Sequence, residues 1–128
     1  MVLGATDLFD APPVLEAVAS YLGDSRNIFL LAQEGARPIG FLRGTELTQL
    51  HSTRKQMFLY EIAVGPEHRR KGVGRRLVEA LLAFSREQNF EEMFVFTDDP
   101  GNTAAHRLYR STGGVTETPG ERMYVYRL

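Results

Sequence analysis

The chain has 128 residues, a formal net charge of −1, and 43% hydrophobic against 24% charged residues. That is one domain's worth of ordinary globular sequence, too apolar for a disordered chain and too neutral for a general binder of nucleic acid or anionic membrane. It contains no cysteine, which excludes a disulfide framework, cysteine-ligated zinc and a cysteine nucleophile.

Met1 to Asp10 lacks a basic segment followed by an apolar run, and no apolar stretch approaches the ~20 residues needed to span a bilayer. The expectation is a cytoplasmic protein with no membrane partner. Pro12 to Leu22 reads as a helix, with both prolines in its first turn and Val14, Leu15, Val18 and Leu22 at helical spacing. Asn27 to Gln33 is short, apolar and strand-like; Glu34 to Pro38 is a turn, and Ile39 to about Leu50 completes a hairpin. Gly40 within that second strand predicts a bulge or a close backbone approach. A polar loop, His51 to Gln56, leads into a strand over Met57 to Val64.

Val73 to about Asn89 is an amphipathic helix: Val73, Leu77, Leu81 and Phe84 form its stripe, with Val78 and Leu82 beside it. Met93 to Thr97 reads as a strand. Asn102 can cap a helix bearing Ala105, Leu108 and Tyr109 on one face, which Gly113-Gly114 would stop. Val115 to Leu128 reads as a hairpin around Pro119-Gly120. The order α-β-β-β-α-β-α-β-β predicts a mixed α/β (α+β) fold in a single domain over residues 1–128.

The chemistry concentrates in Glu61 to Arg76, E-I-A-V-G-P-E-H-R-R-K-G-V-G-R-R, where a strand ends, a basic glycine-rich loop follows and a helix starts. A helix N-terminus offers unpaired N–H groups and the positive end of its dipole. Gly72 and Gly74 would let a pyrophosphate approach the main chain, and Arg69, Arg70, Lys71 and Arg75 add positive charge there. A Walker loop needs Lys-Ser/Thr after the glycine, where Arg75 and Arg76 stand. The dinucleotide fingerprint needs a third glycine where Leu77 stands. Neither nucleotide motif fits. The plainer alternative is a surface helix that begins with basic residues. Those are electrostatically misplaced unless an anion offsets them. Confinement of the charge to one loop argues against nucleic acid.

Arg69 to Gly74 matches the R/Q-x-x-G-x-G/A signature of the GNAT acetyltransferase superfamily. The resemblance extends to Phe58–Val64 and to N-x-x-A-x-x-L-Y-x-x-x-G over Asn102 to Gly113. It implies a splayed β-sheet flanked by helices, with acetyl-CoA as co-substrate and no metal. Its fourth and fifth strands would part to admit the pantetheine arm against the backbone of Ile62, Ala63 and Val64. The loop from Arg69 through Lys71, Gly72, Val73, Gly74 and Arg75 would hold the pyrophosphate, with Asn102 and Tyr109 as further contacts. A narrower likeness, Y-E-I-A-V and G-P-E-H-R-R-K-G within Leu59 to Gly72, resembles the aminoglycoside 3-N-acetyltransferases and implies a small-molecule amine as acceptor and a role in antibiotic resistance. A peptide, protein or polyamine N-acetyltransferase, or a CoA-binding regulatory module without catalysis, are the alternatives.

Alternation places Glu61 on the face of Leu59 and Ala63. The resemblance implies that it is the general base, a solvated or ion-paired carboxylate being the alternative. Tyr109 matches the superfamily's tyrosine near the CoA sulfur and would be the general acid, unless it simply packs. His51, His68 and His106 lack metal-ligand companions and a triad arrangement. Glu91, Glu92, Asp98, Asp99, Glu117 and Glu121 could attract a polycation or could be ordinary surface charge. The segment before Pro12 is short for the superfamily, which predicts a shortened N-terminus, an exposed sheet edge and pairing in a homodimer. Gly114 stands where a bulky apolar residue usually follows.

Overall fold

Ala11 and Pro12 each precede a proline, which drives them out of the helical region. The first helix, α1, therefore runs over Leu15–Gly23 and not from Pro12. The computed structural model describes residues 8–97, 103–116, 124, 126 and 127. After α1, β1 (Asn27–Glu34) and β2 (Arg37–Leu47) form the expected hairpin, joined by a tight turn at Gly35-Ala36. Then come β3 (Gln56–Val64), a single 3-10 turn at Pro66–His68 and α2 (Val73–Glu87). A short β4 (Glu92–Phe94) and α3 (Thr103–Ser111) complete the described elements.

The strands lie in the order β1-β2-β3-β4, with the first two pairings antiparallel and the last parallel. This is the mixed α/β architecture that the sequence predicts. Its core forms where the stripe of α2, led by Leu77, Val78 and Leu81, meets Leu42, Met57 and Leu59. Each such fully buried side chain contributes about 1.5–3 kcal/mol of transfer free energy. On the other face of the sheet, Phe41 stacks on Phe29 and Phe9 at centroid distances of 5.5 and 4.5 Å.

Two register shifts interrupt the antiparallel ladders. Ala32 faces Gly40 while Gln33 faces Pro38, so Ile39 is the extra residue of a bulge in β2. A Cβ on Gly40 would sit 3.0 Å from the Ala63 carbonyl oxygen. The bulge and the close approach anticipated at Gly40 are therefore both present. In the second shift Arg43 faces Glu61 while Gly44 faces Leu59, which leaves Tyr60 as the extra residue of β3.

That second bulge reverses the phase of the strand. Before it, Met57 and Leu59 point to α2; after it, Ile62 packs on the same core and Val64 approaches Gly74 at the start of α2. Glu61 therefore lies on the opposite face from Leu59. The expectation that the two share a face is corrected here, because simple alternation does not survive an inserted residue.

β4 is shorter than the predicted Met93–Thr97: only Glu92–Phe94 pair, with Gln56–Phe58. Beyond Phe58, β3 continues to Val64 with no strand on that edge among the described residues. Among the described residues the sheet is thus open between β3 and β4 beyond Phe58. β1 forms the other edge among the described residues. The Asn102 cap, and most of the hairpin expected over Val115 to Leu128, fall outside the described residues. Among the described residues no helix is long and apolar enough to cross a membrane.

Both long-range helix ends are closed locally. Asn89 takes φ +58°, the Phe90 N–H donates to the Ser85 carbonyl at 2.9 Å, and Arg54 donates to the carbonyls of Asn89 (3.1 Å) and Phe90 (2.9 Å). The guanidinium thus serves the negative end of α2. Because these bonds are exposed, Arg54→Ala should cost only about 1 kcal/mol. Urea unfolding measures this as a lowered midpoint at unchanged slope, and an unmoved midpoint would refute it. At the end of α3, the Gly114 N–H donates to the Tyr109 carbonyl at 2.8 Å, and a Cβ there would lie 2.9 Å from that same oxygen. A bulky residue does not fit this turn, which accounts for Gly114.

Candidate functional site

The loop from β3 to α2 is built to leave a helix end open. Gly72 is the N-cap residue in left-handed conformation (φ +83°, ψ 7°), no side chain caps the helix, and its first turn contains no acidic residue. The first backbone bond is from the Arg76 N–H to the Gly72 carbonyl, 3.0 Å. Val73, Gly74 and Arg75 therefore present N–H groups that must find partners outside the helix. Arg70 is also left-handed, at φ +62°. Such a backbone is unusual for a side chain other than glycine, asparagine or aspartate. A phosphate suits this end: it accepts the free N–H groups and offsets the cations around them.

The predicted loop residues are not all equivalent. Arg70 and Lys71 are exposed. The Arg69 Nε donates to the Val64 carbonyl at 3.1 Å, tying the loop back to the end of β3. Arg75 instead pairs with Glu79 one turn along α2, at 2.7 Å. Gly72 and Gly74 also differ in kind. A Cβ on Gly74 would meet Leu108 at 3.4 Å and Val64 at 3.7 Å, ordinary contacts inside the protein. Only Gly72 has a backbone that demands glycine. The His68 Nε2 is buried without a hydrogen-bond partner, and its backbone N–H is held by the Gly65 carbonyl at 2.9 Å.

Next to this loop lies the edge of β3 that carries the backbone of Ile62, Ala63 and Val64 and has no partner strand among the described residues. On the α2 side of the sheet is Tyr109, which packs with Leu108 of α3 against the α2 core. Burial holds its phenol above the ordinary value of 10.0. On the other side is Glu61.

Glu61 is not isolated. The Arg43 Nε donates to its Oε1 at 2.7 Å, with both side chains about a third exposed (32% and 29%). The guanidinium carbon lies 4.2 Å from the Tyr60 ring centroid and 5.5 Å from that of Tyr21. The Tyr21 hydroxyl in turn lies 2.6 Å from the Ile28 carbonyl and 2.8 Å from that of Gly44, at the bulge. Burial raises the Tyr21 phenol above 10.0 against the opposing effect of Arg43. Next to Glu61 the same face carries Phe58, Phe94 and Phe96 in mutual ring contact, with Tyr60 and Phe96 exposed (58% and 61%).

Neither Arg43 nor Tyr21 was identified from the sequence. The signal for Arg43 was an opposite charge across a hairpin, which becomes readable only when the register, including the bulge, is known. Two predicted acids move away from the site: Glu91 and Glu92 stand at the start of β4, where Glu92 pairs with Gln56 at the far end of β3 from Glu61. Their side chains engage Gln49 and Gln56. Asp98, Asp99, Glu117 and Glu121 lie outside the described residues. Among the described residues no group of three His, Asp or Glu side chains could hold a metal ion.

Comparison with known proteins converges on one family. The profile of the acetyltransferase (GNAT) family matches residues 5–113. N-acetyltransferase family 8 member 3 of Rattus norvegicus is 30% identical over 121 residues, which is 94% of this chain and 49% of that protein. The chain spans only 35–49% of the length of the rat relatives it matches. Among solved structures, the aminoglycoside acetyltransferase meta-AAC0020 from an uncultured soil metagenomic sample superposes with a TM-score of 0.89 at 27% identity, covering 99% of this chain and 88% of that one. Aminoglycoside N-acetyltransferase AAC(6')-Iy in complex with CoA superposes with a TM-score of 0.72 at 25% identity, covering 89% of this chain and 84% of that one.

Proposed function

Since the chain belongs to the GNAT acetyltransferase family, whose members use acetyl-CoA, we propose that it moves an acetyl group from acetyl-CoA to a primary amine in a ternary complex. The observation that carries this is the uncapped, acid-free N-terminus of α2, set at the end of a strand that bears Glu61 and, among the described residues, has no partner on one edge there. Arg70, Lys71 and the N–H groups of Val73 and Gly74 would hold the pyrophosphate, and the edge of Ile62 to Val64 the pantetheine arm. Asn102 and Arg75 complete the proposed contacts, Arg75 after release from Glu79. Bound acetyl-CoA supplies the thioester.

Glu61 takes the proton that the acceptor ammonium must lose before its nitrogen can attack. Tyr109 donates its proton to the departing sulfur from the α2 side of the sheet. A thiolate is a good leaving group, so this assistance is worth less than the base: Tyr109→Phe should lower kcat about tenfold, below the usual range for general acid–base catalysis. The acid must be protonated to act, and burial keeps this phenol protonated beyond its ordinary value. The wild-type rate should therefore hold up to about pH 10 on this account. The same sign limits the fold: below about pH 10 both folded and unfolded phenols keep their protons, and stability falls as pH rises through the folded value. Rates measured beside circular dichroism separate the two; a decline centred well below pH 10 that disappears in Tyr109→Phe would contradict the raised phenol.

An aminoglycoside is the first acceptor class to test, supported by the superposition on meta-AAC0020, which has also been seen in complex with sisomicin. Acetylation at the 3-N position follows from the sequence likeness of Leu59 to Gly72 to the 3-N enzymes. Thiol release from acetyl-CoA, measured over aminoglycosides, polyamines and peptides with free amines, tests the whole reading, and the absence of cysteine removes any thiol background from the protein. Release with an aminoglycoside and a 3-N-acetyl product by NMR is the expected result. Acetylation elsewhere on the ring system overturns the regiochemistry, and CoA binding without release to any amine favours the regulatory module.

A further inference from the structure

The base proposed above stands at an irregular point of the sheet, where a glutamate side chain would ordinarily sample several rotamers. Here it does not have that freedom. The Arg43 Nε holds Oε1 at 2.7 Å, and the other carboxylate oxygen takes no part in that bond. Arg43 is itself confined, with the Tyr60 ring 4.2 Å and the Tyr21 ring 5.5 Å from its guanidinium carbon. Planar, delocalised guanidinium suits such a stacked position in a way that an ammonium does not. Tyr21 is fixed by the carbonyls of Ile28 and Gly44, and Gly44 lies directly at the shift in register that turns Glu61 to this face. One chain of contacts thus runs from α1, through Tyr21 and Arg43, to the carboxylate.

We propose that Arg43 is the positioning residue of the acceptor site, setting the orientation of Glu61 and acting through it without binding the acceptor itself. This rests on the reading of Glu61 as the base. A positioned carboxylate removes the cost of finding the productive rotamer in each turnover, so the effect belongs in kcat. The pair itself carries no net charge.

A double-mutant cycle on kcat tests the proposal. Arg43→Met should lower kcat about tenfold, while the Kd for acetyl-CoA, measured by calorimetry, stays within twofold. In a Glu61→Gln background the same change should have no further effect, because the group it positions is gone. Arg43→Lys, which keeps the charge but not the planar fork, should recover part of the loss and serves in the cycle should Arg43→Met fail to fold. An undiminished kcat in Arg43→Met overturns the proposal, as does an equal loss in both backgrounds, which would mean that Arg43 acts independently of Glu61. If Glu61→Gln alone leaves kcat intact, the reading of Glu61 as base fails first; a slow Glu61→Gln beside a fully active Arg43→Met sinks only the positioning role.

Discussion

Replacing Glu61 by glutamine should reduce kcat by on the order of 10²–10⁴-fold, the usual range for loss of a general base, while acetyl-CoA binds as before. The substitution is nearly isosteric, so the bulge and the β2–β3 ladder, which depend on backbone pairing at Arg43 and Glu61, have no reason to move. What changes is the ability to accept a proton. The Arg43 Nε can still donate to the amide oxygen of glutamine, which keeps the side chain near its place. A loss confined to kcat therefore reads out chemistry and not collapse of the site. Acetyl-CoA affinity from calorimetry and kcat from thiol release are the two measurements needed. A variant with wild-type kcat at neutral pH would remove Glu61 from the mechanism.

The second large effect is expected at Gly72. A residue with a Cβ in left-handed conformation costs about 1–2 kcal/mol, and a β-branched one is a stronger outlier. Gly72→Val should therefore either strain the loop or swing it out of position, and weaken acetyl-CoA binding roughly 5- to 30-fold, the equivalent of those energies. Open space around Gly72 means that no clash within the protein explains such a loss; the intramolecular cause would be its φ of +83°. Gly74→Ala is the control within the same motif. Its methyl would meet Leu108 and Val64 at ordinary contact distance, so affinity should change less than twofold. Equal losses at both positions would contradict this division of labour between conformation and packing.

These two residues also illustrate how far the sequence can be read. The amphipathic stripe of α2 was legible because Val73, Leu77, Leu81 and Phe84 recur at helical spacing whatever surrounds them, and Leu77 and Leu81 are indeed in the core. The basic glycine-rich loop was legible as a motif. Its two glycines could not be told apart, because the difference lies in a backbone angle at one and a neighbouring helix at the other. β4 was overextended because Val95 and Phe96 are as apolar as a strand requires, whereas among the described residues its pairing with β3 stops at Phe94. Glu61 stands out in the sequence as an unusual acid in an apolar strand, but its face was misread, and with the face its partner. Arg43 lies on a different strand. No local pattern links it to Glu61.

The bulge at Tyr60 has a consequence for how this strand can change its length. Met57 and Leu59 before it, and Ile62 and Val64 after it, all serve the α2 side, although the two pairs are out of step in the sequence. Loss of Tyr60 alone would bring them into strict alternation without turning any retained side chain over. A one-residue deletion at Phe58 would instead leave Met57 and Leu59 as neighbours and force one of them out of the core. Tyr60 is thus the position in β3 where a residue can be gained or lost with the hydrophobic pattern intact.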